Sequence, residues 1–496
     1  MDVNTERLKV LSLSDPPSQV ILSPPASSSP SGKLPIELLS EIFLICVGDV
    51  LDEHHTILMP LLVSKICSRW RSAAITNPKL WSWLFLDLTP PNPKPSSPRS
   101  TPPSPSSPGA SQKDMVETWL TRSGACPLTV YVLWEDSTSS FTHPVLDVLL
   151  EHCTRWQTMY LYLPSPAFRS FSCIRNRLPM LTGLSLGMDD RDIISGATLG
   201  EDNKVDMFEN APRLRSLECV NFSPTMFKFP WNQLQKIPSL AVTFDEALDI
   251  LHQAKRLVEV GFIVVDAGNP LWHPTSHLPH RYIVHHHLRC FTLMTPPWNE
   301  IISLRSLFPR LAFPQLESLT ICNLKSPFGS ELIQFLSQLH VLNKLHLRRT
   351  ALSDEELVEG LKHLPSLTSL IVHSDLDDDH TEPTVTRYLF RALTRNFFSS
   401  SSMDDDGMLL PRLKTLEMTL SGHITPAALD DLLEMLQSRL REDGMGVVRL
   451  EKVRLRSSVD LDEEFLIPLI ELRRDFGLAV SVEGVGEHSM GIEELQ

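Results

Sequence analysis

LESLTI (316–321), LNKLHL (342–347) and LTSLIV (367–372) repeat one pattern, Leu-x-x-Leu-x-Leu, at intervals of roughly 25 residues. The alternation in the second half of each unit gives a short strand with one apolar face. The same pattern, with loose apolar substitutions, extends in both directions. Upstream it reads LTVYVL (128–133), WQTMYL (156–161), LTGLSL (181–186), LRSLEC (214–219), IPSLAV (237–242), LVEVGF (257–262) and LRCFTL (288–293). Downstream it reads LKTLEM (413–418) and LEKVRL (450–455). Helical patterns follow several units: FDEALDILHQAKR (244–256), SELIQFLSQLH (330–340), SDEELVEGLKHL (353–364) and TPAALDDLLEMLQSRL (425–440). Ser353 with Glu356 three residues later reads as a capping box. One strand and one helix cannot bury their own apolar faces, so the units are expected to stack.

The spacing, mostly 20 to 33 residues, overlaps that of leucine-rich repeats, which these units resemble. The polar residue that follows the standard repeat is mostly missing; Thr350 and Asp375 stand there after two units. An irregular stack is therefore expected over 113–485, with a tail at 486–496.

Ahead of the repeats, residues 1–32 and 89–112 are rich in Ser and Pro. Proline donates no backbone hydrogen bond and serine adds little burial, so both are expected to be disordered segments, the second a linker or insertion. Between them lies an apolar island, residues 33–88. LPIELLSEIFLICV carries Leu38, Leu39, Ile42, Phe43 and Ile45 at helical spacing, and PLLVSKICSRWRSAAI continues with Leu62, Val63, Ile66, Cys67 and Trp70. Asn77-Pro78 reads as the start of a third helix, KLWSWLF; LFLDL (84–88) reads equally as a strand that starts the sheet.

The island's ordered elements are Leu34-Pro35-Ile36-Glu37-Leu38-Leu39, Ile42-Phe43, Val63-Ser64, Ile66-Cys67, Arg69-Trp70-Arg71 and Leu80-Trp81. In this order they resemble an F-box. WLTRSGACPLTVYV (119–132) and HCTRWQTMYLYLP (152–164) are similar to the expanded F-box families of mushroom-forming fungi. The sequence departs from the compact family pattern at the long loop of residues 46–58. The expected fold class is α+β: a three-helix F-box followed by an irregular α/β leucine-rich-repeat solenoid.

The resemblance implies a non-enzymatic substrate receptor of an SCF-type (Skp–cullin–F-box) ubiquitin ligase. It would bind the Skp adaptor through Leu34, Pro35, Leu38, Leu39, Ile42, Phe43, Val63, Ile66, Cys67, Trp70, Leu80 and Trp81, and a protein target through the repeats. Leu34 and Pro35, at a helix start, are the residues expected to reach the adaptor; Phe43 and Trp70 are expected to be mostly internal. The alternative is a binding scaffold of the same construction that acts outside a cullin complex. No cofactor, no metal and no catalytic residue is expected.

Composition narrows the classes further. The chain has 496 residues and a formal net charge of −15, which argues against a nucleic-acid partner. No apolar run reaches the length of a membrane span and the first residues do not pattern as a secretory signal, so a cytoplasmic or nuclear location without a membrane partner is expected. The 8 cysteines, with no closely spaced pair, read as reduced and mostly buried thiols.

Three motifs imitate other chemistry. Gly183-Leu184-Ser185-Leu186-Gly187 has the letters of a hydrolase nucleophile elbow, but its leucines belong to a repeat strand, which would place Ser185 mid-strand. His273, His277, His280, His285, His286, His287 and Cys290 could suggest zinc; prolines 274 and 279 break any helical ligand face, so a solvated loop is expected. Asp375, Asp377 and Asp379 imitate a calcium loop, with His380 in place of the required glycine and Thr386 in place of the closing glutamate.

Overall fold

A computed structural model describes residues 34–48, 53–89, 108–135, 143–188, 205–220, 222–265, 282–296, 307–324, 328–374, 385–394, 408–420, 424–440, 448–457, 461 and 463–484. The chain divides into two compact units, Met1–Trp81 and Ser82–Gln496. The segments expected to be disordered (1–32 and most of 89–112), the tail 486–496 and the calcium-like run 375–380 lie outside the described residues.

The first unit holds helices α1 (Ile36–Gly48), α2 (Glu53–Ile66) and α3 (Ser68–Thr76), then a 3-10 turn, Pro78–Trp81. Cys67 separates α2 from α3. Its backbone is extended and its sulfur accepts the Trp70 N–H, so it caps α3 rather than continuing one long helix. Leu39, Phe43, Val63, Ala73, Ala74, Leu80 and Trp81 are buried. Phe43 and Trp70 pack with ring centroids 5.1 Å apart, and Trp81 Nε1 donates to the Ala74 carbonyl at 2.8 Å.

The second unit is built on one sheet of fourteen strands, all parallel to their neighbours. In chain order these are β1 (Trp83–Asp87), β2 (Leu128–Leu133), β3 (Trp156–Tyr162), β4 (Gly183–Gly187), β5 (Ser216–Val220), β6 (Lys236–Val242) and β7 (Glu259–Val264). A short pair, β8 (Ile283–Val284) and β10 (Leu311–Ala312), stands apart; between its members comes β9 (Cys290–Met294). The main sheet continues through β11 (Ser318–Cys322), β12 (Lys344–Arg348), β13 (Ser369–His373), β14 (Thr415–Leu420), β15 (Lys452–Ser457) and β16 (Ala479–Gly484). Each strand lies beside the next main-sheet strand in sequence.

This architecture overturns the α+β expectation: the fold is α/β. Two parallel strands cannot be joined by a tight hairpin, so every step requires a return connection, and helices become interleaved with strands rather than segregated from them. The expected N-terminal three-helix F-box is not evident either. The segment read as its third helix is a 3-10 turn that runs into β1. There the apolar alternation wins, with Leu84 and Leu86 buried on one face and Phe85 half-exposed on the other.

Alternate residues are buried along most strands: Leu184 and Leu186 in β4, Leu319 and Ile321 in β11, Leu345 and Leu347 in β12, Leu416 and Met418 in β14. The connecting helices in the C-terminal half, Gly329–Leu336, Asp354–Leu361, Arg387–Leu393, Pro426–Leu440 and Glu463–Phe476, pack each on the next. Near the start of the sheet, α4 (Pro108–Arg122) is tied to β1: Trp119 Nε1 donates to the Trp83 carbonyl at 3.1 Å.

Local signals fix the helix starts. Ser353 and Glu356 form the reciprocal capping box read from the sequence. Thr243 and Glu246 form a second one at the helix Phe244–Gln253, where the buried Glu246 also accepts the Ser223 hydroxyl at 2.8 Å. After β11 and β12 the chain turns through left-handed residues, Asn323 (φ 58°) and Arg349 (φ 53°). The Asn323 side chain then donates to the Thr295 carbonyl at 3.1 Å.

Candidate functional site

Two surfaces stand out, one in each unit. In the first unit the twelve residues proposed for adaptor contact separate into two sets. Leu39, Phe43, Val63, Leu80 and Trp81 are core, while Leu34 and Trp70 are half-buried. Pro35, Leu38, Ile42, Ile66 and Cys67 are exposed. The Leu34 carbonyl accepts a hydrogen bond from the Arg69 guanidinium, which ties the entry of α1 to α3. The exposed set is larger than the sequence reading proposed, because Ile36, Ile45, Leu61, Leu62 and Ile75 join it. Leu38, Ile42 and Ile45 lie at i, i+4 and i+7, a single stripe of α1. Eight of the seventeen large apolar side chains exposed among the described residues fall between positions 36 and 75. Scattered exposed leucines need no explanation; a concentration of this kind is a candidate interaction surface.

In the second unit the face of the sheet opposite the buried leucines presents rows of side chains in register across the strands. The central row starts with Phe85, Tyr131 and Tyr160. Their rings stack, with centroids 4.9 Å apart at 15° and then 5.7 Å apart at 26°. Ser185 and Glu218 follow, joined by a 2.9 Å hydrogen bond from the serine hydroxyl. Small residues occupy the middle of the row, Gly261, Thr292 and Thr320. The row then becomes mostly polar, with His346, Glu417 and Arg454 around the single aliphatic residue Ile371.

At that end the adjoining row contributes Arg348, His373, Thr419, Arg456 and Glu483. Glu417 is the hub. His373 Nε2 is 3.1 Å from its Oε1, Arg456 is 3.7 Å from the same oxygen, and Arg454 is 3.5 Å from Oε2. The other imidazole nitrogen, Nδ1, faces Arg456 at 3.3 Å and the Thr419 hydroxyl at 3.4 Å. Donation from Nε2 to the carboxylate and acceptance at Nδ1 assign the neutral Nε2–H tautomer. Burial lowers the His373 pKa from its ordinary value, and the Arg456 charge lowers it further, against the pull of Glu417. His346, whose ring centroid is 5.7 Å from that of His373, is lowered chiefly by burial as well. Arg454 and Arg456 also reach Glu483, at 3.6 and 3.1 Å.

The motifs that imitate other chemistry have plain structural places. Gly183–Gly187 is one continuous strand, and Ser185 sits in its middle. Of the histidines, His286 and His287 are exposed, but His285 is not part of a solvated loop. It is buried, and its Nε2 donates to the Leu251 carbonyl at 2.6 Å. His273, His277 and His280 lie outside the described residues. Thr386 caps the helix Arg387–Leu393 and donates its hydroxyl to the Asp354 carboxylate. Among the described residues no group of His, Cys, Asp and Glu is arranged to hold a metal ion, and no helix is long and apolar enough to cross a membrane. All eight cysteines are unpaired, but only Cys153, Cys219 and Cys322 are buried, so the expectation of mostly buried thiols is corrected.

The chain matches no protein-family model and no curated protein. The open-face cluster was not proposed from sequence, although a signal for it exists. The fifth letter of the Leu-x-x-Leu-x-Leu units from WQTMYL onward gives Tyr160, Ser185, Glu218, Gly261, Thr292, Thr320, His346, Ile371, Glu417 and Arg454. In LTVYVL the outward Tyr131 is the fourth letter, where the β2–β3 register shifts between Leu128 and Thr129. IPSLAV breaks this series, because β6 changes register between Ile237 and Leu240.

Proposed function

We propose that this chain is a non-enzymatic substrate receptor of an SCF-type ubiquitin ligase. Its N-terminal helical unit would dock on the Skp adaptor, and the open face of its sheet would hold a protein target. The observation that carries this reading is the exposed apolar stripe Leu38, Ile42 and Ile45 with Leu62 and Ile66, within the segment whose residue order resembles an F-box. Aliphatic side chains left in water at this density gain roughly 25 cal/mol per Å2 when a partner covers them, which supports a docking role. The chemistry of ubiquitin transfer would belong to the other subunits.

The test is affinity capture of the full chain with purified Skp adaptor and cullin, comparing wild type with the double variant Leu38→Asp, Ile42→Asp. Both side chains are exposed, so folding should survive while adaptor capture is lost. Capture of the adaptor without the cullin would favour the scaffold alternative. No adaptor capture by the wild type would overturn the reading.

A further inference from the structure

The geometry points to the histidine–arginine end of the open face as a docking site for an acidic segment of a protein target, one that carries aspartate or glutamate side chains. In calling the occupant a target, this rests on the receptor reading above; the surface itself does not depend on it.

The first argument is charge. The chain carries a formal −15, yet across the five strands β12 to β16 this end of the face presents three guanidiniums, Arg348, Arg454 and Arg456, against two carboxylates, Glu417 and Glu483, beside two imidazoles that add no negative charge. An acidic segment is repelled by most of the molecule and drawn to this place, where a local potential of opposite sign raises its encounter rate. The span suits an extended chain. From β12 to β15 is three strand spacings, about 14 Å, and alternate residues of an extended peptide repeat at about 7 Å.

The second argument is the chemistry already present. Glu483 lies on β16, the last strand of the sheet, with half of its side chain in solvent, and it supplies a carboxylate to both Arg454 and Arg456. The two guanidiniums are thus arranged for a carboxylate, and the one they hold is at the rim, free to swing away when another arrives. Glu417 is different. It is only 13% exposed and anchored by His373, so it fixes the guanidiniums in place rather than competing for them. Arg454 Nε is buried and makes no hydrogen bond, with Glu483 Oε1 standing off at 3.6 Å, so a carboxylate that displaces Glu483 and approaches more closely would satisfy it. Arg348, exposed at the end of β12, forms no ion pair among the described residues and supplies a cation at the far side of the patch.

The experiment uses fluorescence anisotropy on the full chain with a labelled octapeptide of alternating glutamate and serine. Two control peptides carry lysine in place of glutamate, or glutamine in place of glutamate with phosphoserine in place of serine. The glutamate peptide should bind about tenfold more tightly than the lysine peptide at low salt, and should weaken as salt is added. Arg454→Gln with Arg456→Gln should lose most of that preference. Because this pair also holds Glu417 and its loss could disturb folding, Arg348→Glu serves as a second variant at an exposed position, and it too should weaken the glutamate peptide. Equal binding of the glutamate and lysine peptides, or wild-type binding by both variants, would overturn the proposal. Binding of the phosphoserine peptide alone would overturn the carboxylate assignment. Adaptor capture by the same preparations separates the two ideas. Peptide failure with intact capture defeats this inference alone, whereas capture failure with intact peptide binding defeats the receptor reading alone.

Discussion

The Pro238 carbonyl oxygen lies where a side chain at Gly261 would begin: a β-carbon added there would come within 2.3 Å of it. The cause is an irregular register. Ile237 pairs with Val260 and Leu240 with Phe262, so two residues of β6 face the single residue Gly261. Proline is suited to such a bulge because it has no N–H to offer the ladder. The opposing group is backbone and cannot rotate away, so Gly261→Ala must push β6 and β7 apart. We expect a loss of about 1–3 kcal/mol in chemical denaturation. Gly183→Ala, whose β-carbon would stand 3.2 Å from a Thr158 methyl, should be much milder.

The two capping boxes look alike in sequence but differ in burial. Ser353→Ala should cost about 1 kcal/mol, the usual loss of a helix cap. Glu246 accepts both the Thr243 N–H and the Ser223 hydroxyl at 2.8 Å and is nearly inaccessible. Glu246→Ala strands those two donors, so it should exceed Glu356→Ala by about 1–3 kcal/mol. Equal losses in urea titrations of the two variants would contradict this ranking.

Much of this architecture is legible in the chain. The second half of units such as LESLTI and LNKLHL falls on β11 and β12, because one-sided burial of a strand imposes alternation directly on the letters. The first strand was legible only as one of two readings of the same residues. Near Trp81 and Trp83 a helix start and an alternating strand overlap, and local propensity alone does not choose between them. The last strand, AVSVEG in β16, has no full Leu-x-x-Leu-x-Leu and was not read from the sequence. The burial of His285 was equally hidden, since it depends on the Leu251 carbonyl thirty-four residues away. Cross-strand sites such as Glu417 with His373 require the register, which one strand's pattern cannot supply.

His285 makes acid stability a measurable consequence. Burial lowers its pKa, and Lys255, His287 and His286 add to the lowering, against the Leu251 carbonyl. In the unfolded chain an imidazole takes up its proton near pH 6.5. The folded chain takes it up only at lower pH. Above about 6.5 neither state is protonated and the group contributes no pH dependence. As pH falls from there toward the folded value, the unfolded state binds more protons and stability drops. His143, His152, His346 and His373 shift in the same direction. Melting temperature should therefore fall below about pH 6.5. His285→Gln, which keeps a donor for Leu251, should flatten that fall without abolishing it.

Ile42 and Phe43 are adjacent on α1, about 100° apart around its axis, yet one is 42% and the other 1% exposed. The pair gives a direct check on which α1 residues form the core and which form the surface. Phe43 packs on Trp70 and fills a unit with few other large buried side chains. Phe43→Ala leaves a cavity whose loss is typically about 3–5 kcal/mol, a large share of what a helical unit this small can hold. Amide exchange over residues 36–66 should therefore accelerate strongly in Phe43→Ala. Ile42→Ala removes a side chain already in water and fills no cavity, so the same amides should exchange at wild-type rates. If both variants accelerate exchange alike, α1 packs with a different face inward, and Leu38, Ile42 and Ile45 are not the stripe that meets a partner. If neither does, Phe43 is not the anchor of the first unit.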